Sequence, residues 1–160
     1  MKNVSSITLA SLTLLLGACG GGYSADSIAD QAPQGLMEGE DWTMMSAVVT
    51  ANGEDKLSVD LYPVQVEPCD GFADSDSQIL FTIKREVGEF PLKFSFGDLE
   101  GSQTITFSPG PGQNVIASEG LIVVESLTDD EVTIGLVADA GESSINGRFT
   151  ATICPDPFGG

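Results

Sequence analysis

Histidine is missing from all 160 residues. Without an imidazole there is no Ser-His-Asp or Cys-His catalysis, and the commonest zinc sites lose their usual nitrogen ligand. Positive charge is nearly as scarce: 6 Lys and Arg stand against 24 Asp and Glu, for a formal charge of −18. Such a body repels nucleic acid and anionic lipid, so nucleic-acid binding is excluded. One Trp and two Tyr leave little from which to build stacking platforms for sugar rings. No pair of carboxylates is set apart by its spacing, so glycoside hydrolysis by two acids has no marked site. These absences lead to the expectation of a protein that is not an enzyme and takes no cofactor.

Long apolar runs are absent too. A membrane-spanning helix needs about 20 apolar residues, and the longest run, Ile7 to Ala18, is shorter and is broken by Thr8, Ser11, Thr13 and Gly17. Preceded by Lys2 alone among charged residues, it has the layout of a signal peptide. It ends in Leu16-Gly17-Ala18-Cys19, which resembles the lipobox of bacterial lipoproteins. In that family the cysteine thiol receives diacylglycerol, a signal peptidase cuts just before it, and the new amino group is acylated. The resemblance implies removal of residues 1–18 and a mature chain beginning at a lipidated Cys19, with acyl chains such as palmitate as its membrane anchor. Two or three such chains hold a protein stably, because each buried CH₂ contributes about 0.8 kcal/mol. Gly20 lacks the Asp that retains Gram-negative lipoproteins at the inner membrane, so the implied location is the cell envelope, and the outer membrane in a Gram-negative source.

Loss of residues 1–18 removes Lys2 and moves the formal charge from −18 to −19. Gly20 to Gly22 let the chain leave a lipid surface in any direction. Residues 23–41 continue with Ser, Asp, Gln, Pro and Gly and no apolar period, so residues 19–41 are expected to form a flexible tether with a mean span of roughly 25 Å. A short helix could form around Ser24 to Gln31 before Pro33 and Gly35 stop it. Residues 42–160 are then one domain, long enough to bury a real core.

Period-two alternation recurs along that domain and marks strands with one buried face. Leu57, Val59 and Leu61 alternate with Ser58, Asp60 and Tyr62; Ile79, Phe81 and Ile83 alternate with Leu80, Thr82 and Lys84. The same pattern holds for Leu92, Phe94 and Phe96, for Ile105 and Phe107, and for Phe149, Ala151 and Ile153. The stretch Gly120 to Cys154 reads as a three-stranded meander. Turn signals between these runs, such as Asn52-Gly53 and Asn146-Gly147, fit an all-β antiparallel sandwich or small barrel of roughly eight to ten strands. An immunoglobulin-like domain is not the expectation, since only "PDPFGG" follows Cys154 and Trp42 precedes both later cysteines.

Two cysteines remain beyond Cys19, and an exported protein meets an oxidising compartment. Cys69 and Cys154 are therefore expected to be bridged, the alternative being two free thiols. Their bridge closes a loop of about 85 residues, for which the chain-entropy model gives about 4 to 5 kcal/mol. Asp70, Asp74 and Asp76 in "CDGFADSDSQ" could offer oxygen ligands to calcium, but their spacing lacks the alternation, central Gly and closing Glu of an EF-hand loop. No metal is expected there. Asp129, Asp130 and Glu131 suit a tight corner between strands. Lys84-Arg85, with Lys93 nearby, could mark a partner contact or simply discourage edge aggregation.

Two functions follow. The first is a membrane-tethered binding or structural module that meets an envelope protein or a glycan. The second is a small carrier with an apolar, solvent-connected cavity for a hydrophobic ligand. A filled core favours the first; a large apolar cavity favours the second.

Overall fold

Alternating apolar residues become the inner face of a curled sheet. The computed structural model describes residues 22–69, 73, 75–98 and 101–156. Within them lie a one-turn 3-10 helix, Ala25–Ser27, and eleven strands: β1 (Gln34–Met37), β2 (Glu40–Thr43), β3 (Ser46–Asn52), β4 (Lys56–Tyr62), β5 (Gln78–Lys84), β6 (Gly88–Pro91), β7 (Ile105–Gly110), β8 (Gln113–Ala117), β9 (Glu119–Leu127), β10 (Glu131–Ala140) and β11 (Ser143–Cys154). Nine of them follow the order β6-β9-β10-β11-β3-β4-β5-β7-β8 and curl into a half-barrel, while the β1-β2 hairpin pairs with β11. No helix among the described residues is long and apolar enough to cross a membrane.

The fold is all-β, as the alternation predicts, and β9, β10 and β11 form the expected meander. One pairing departs from a purely antiparallel sheet. Residues 143–152 of β11 pair antiparallel with β10, but Ile153 and Cys154 run parallel to Val49 and Thr50 of β3. Those two residues join the two halves of the sheet. Side-chain period reports which face of a strand is buried, not which strand its end will meet.

The core fills the inside of the curl. Leu57, Val59 and Leu61 of β4 and Ile79, Phe81 and Ile83 of β5 pack with Val132, Ile134 and Leu136 of β10 in one continuous cluster. Burying each such side chain stabilises the fold by about 1.5–3 kcal/mol. Trp42 of β2 joins the same cluster, with its indole nitrogen unpartnered.

The Leu92–Phe96 alternation is not a strand. Pairing beyond β6 is limited to an isolated bridge between Lys93 and Gln103. Leu92 is buried, but Phe94 and Phe96 are 40% and 91% exposed and pack edge to face on each other. The chain turns at Ser95 to Asp98, where the Asp98 N–H donates to the Ser95 carbonyl. Three alternating residues beside a turn carry the same period as a strand, and only a pairing partner distinguishes them.

Residues 23–41 are likewise not a free tether. Ile28, 6% exposed, packs on Leu121 and Val137 over the outer face of β9 and β10. Asn146 donates to the Ser27 carbonyl at 3.0 Å and accepts from the Ala29 N–H at 2.8 Å. The Arg148 guanidinium donates to the Ile28 and Ala29 carbonyls and lies 3.4 Å from Glu125. At Gly147, with φ +152°, an added Cβ would stand 2.6 Å from Pro33 Cα, so glycine permits the close approach. β1 then pairs Gln34 to Leu36 with Asn146 to Ser144. Only the single 3-10 turn appears where a short helix could have formed.

Candidate functional site

Residues between the core positions of β3, β4, β5 and β7 face away from the core. Strand register sets them in rows: Val48, Asp60, Leu80 and Thr106 form one, Thr50, Ser58 and Thr82 the next, and Asn52, Lys56 and Lys84 a third. The first two rows floor a hollow of about 600 Å³, with Tyr62 and Asp156 at its margins. Lys56, Lys84 and Lys93, together with Glu89, line a second hollow of about 630 Å³. Asn52, Thr82 and Ser102 belong to both, so the two are one trough with differently charged ends.

Asp60 is half-buried and has neither a hydrogen bond nor an ion pair among the described residues. Burial raises its pKa above the ordinary aspartate value, because desolvation disfavours the charged form. Tyr62 beside it is 1% exposed. Burial first and then the Asp60 charge raise the phenol pKa, against a lowering hydrogen bond with the Ala73 backbone. Val48 and Leu80 give the floor apolar patches, and its polar groups are held in place: Asn52 Nδ2 donates to Ser58 Oγ at 2.9 Å, and Gln103 Nε2 donates to the Thr82 carbonyl at 2.7 Å. At the rim the Gly53 N–H donates to Asp156 at 3.4 Å.

The residues singled out from sequence fare unequally. Cys69 and Cys154 are disulfide-bonded, with their Cα atoms 5.3 Å apart. Cys19, Asp70 and Asp74 lie outside the described residues; Asp76 is exposed just before β5. Among the described residues no three His, Cys, Asp or Glu are gathered as a metal would require. At the 128–131 corner it is the Thr128 hydroxyl that accepts from the Asp130 and Glu131 N–H groups. Lys84 and Lys93 do meet at one hollow, whereas Arg85 turns away to the Asp129 carbonyl at 3.3 Å.

Sequence reasoning missed Asp60, having read it only as an outward residue of an alternating strand. A signal was available: Asp is depleted in strand interiors, and here it sits between Val59 and Leu61 in the middle of β4. The trough carries hydroxyls and an amide on its floor, a carboxylate at one end and amines at the other. Its hydroxyls, amide and opposed charges suit binding. Comparison with family models, with curated proteins and with solved structures finds no match for the chain.

Proposed function

We propose that the chain is an exported lipoprotein, anchored through Cys19, whose body is a non-enzymatic binding module that uses the trough on β3, β4 and β5. The observation that carries the binding role is Asp60: a half-buried carboxylate without a hydrogen bond or ion pair among the described residues costs stability, and natural proteins keep such costs where function needs them. The hydroxyls and charges set among Val48 and Leu80 support a ligand with both polar and apolar parts over the wholly apolar cargo of a carrier.

Docking of residues 23–33 changes what the anchor does. Four chain steps separate Cys19 from Tyr23, a reach of at most about 14 Å. Tyr23 is itself tied down, its hydroxyl donating to Asp139 at 2.8 Å, and this bond, with burial and the neighbouring acids, pushes its pKa up to about 12. A lipid on Cys19 therefore holds the body close to the membrane, with the Tyr23 end of β10 nearest to it.

Acyl-chain labelling and membrane fractionation of the wild-type and Cys19→Ala proteins test the anchor. The wild type takes label and partitions with membranes, and the variant does neither. Equal labelling of both would overturn the lipoprotein reading.

A further inference from the structure

Opposite charges stand at the two ends of the trough on one face of one strand. Asp60 and Lys56 are both outward residues of β4, four positions apart, which spans about 13 Å at about 3.3 Å per residue. At the Asp60 end no cation among the described residues answers the carboxylate. At the other end Lys56 lies directly across from Lys84, a like-charge placement that destabilises a sheet. Lys84 has an exposed ion pair with Glu86 at 3.5 Å, but Lys56 and Lys93 have no ion-pair partner among the described residues. Composition does not account for this gathering. The chain has six basic residues, and three of them line this hollow against one acid, Glu89, among its described lining residues.

Each end alone is a cost, and together they are complementary to a molecule that carries a cation and an anion about 13 Å apart. An extended peptide advances about 3.3 to 3.6 Å per residue, so the free termini of a peptide of about four residues have that separation. Between the ends the floor presents Thr50, Ser58, Thr82 and Asn52, hydrogen-bonding groups suited to a row of peptide N–H and C=O groups. Leu80 and Val48 beside Asp60 offer apolar surface to a first side chain. A single amino acid, or any zwitterion with adjacent charges, is too short to touch both ends.

We infer that the trough binds a short extended peptide with both termini free, its ammonium at Asp60 and its carboxylate among Lys56, Lys84 and Lys93. This rests on the trough being the binding site and names its ligand class.

The test is calorimetric titration of the detergent-solubilised mature protein, at physiological salt, with tetra-alanine, its N-acetyl form, its C-terminal amide and free alanine. Tetra-alanine binds; acetylation and amidation each weaken it about tenfold, the scale of one charge-assisted hydrogen bond. Asp60→Asn makes the acetylated and free peptides equal, and Lys56→Met with Lys84→Met does the same for the amide. Asp41→Asn, which removes one exposed charge from β2, changes neither comparison. Thermal melts of each variant confirm that it is folded. No binding of tetra-alanine, or equal binding of alanine, overturns the proposal. Equal binding of the blocked forms to the wild type also overturns it, while leaving the trough a binding site for a neutral ligand.

Discussion

Asp60 costs this fold stability, and the cost has a sign that can be measured. Its pKa is raised in the folded state, so between the unfolded and folded values the folded chain holds the extra proton. The cost is therefore absent below the ordinary aspartate pKa, where Asp60 is protonated folded or unfolded, and grows to its full size as pH rises through the raised value. The outward neighbours across the ladder, Val48 and Leu80, are uncharged; the ionisable groups around it are Tyr62 and Asp156. Asp60→Asn is expected to raise the melting temperature at pH 7 and to narrow its lead over the wild type as pH falls through the aspartate range. A variant less stable than the wild type at pH 7 would mean that the carboxylate has a stabilising partner.

The docked N-terminal segment hangs on few side chains. Arg148, two-thirds buried as a side chain, joins the carbonyls of Ile28 and Ala29 to the carboxylates of Glu125 and Asp30. Arg148→Met is expected to cost about 1–3 kcal/mol and to open residues 23–33 to proteolysis while β9 and β10 keep their slow hydrogen exchange. Protection of the segment in that variant would show that Ile28 alone holds it. The segment also marks the limit of pattern reading. The twelve residues of β11 alternate in burial along most of their length, so period two stands out there, whereas β10 is buried without a break from Ile134 to Ala138 and was legible only as a long apolar run between turns. Residues 23–33 dock through one apolar side chain and bonds to main-chain carbonyls, which have no period. Phe94 and Phe96 fail in the opposite direction, since they have the period and lack a strand to pair with. Asp60 was visible as an outward residue, but its meaning depends on β3 and β5, which bring no cation to it; single-strand reading cannot supply that.

For the whole molecule, the Cys69–Cys154 bridge spans 85 residues and fastens the loop after β4 to the end of β11, beside the parallel step onto β3. Replacing both cysteines with serine is expected to destabilise the chain by about 2–5 kcal/mol and to speed hydrogen exchange first at Ile153 and Cys154→Ser. Unchanged thermal stability on reduction would show that the core and the parallel pairing suffice without it. The bridge and the docked segment, with the lipid proposed at Cys19, fit the proposal of a body held close to a membrane whose trough on β3, β4 and β5 binds a ligand. Methyl NMR of the mature protein during titration with tetra-alanine tests that claim most directly. Saturable shifts at Thr50, Thr82, Val48 and Leu80, with Val123 and Val137 on the outer face of β9 and β10 unmoved, are the predicted result. Shifts spread evenly over the surface, or centred away from β3, β4 and β5, would contradict it.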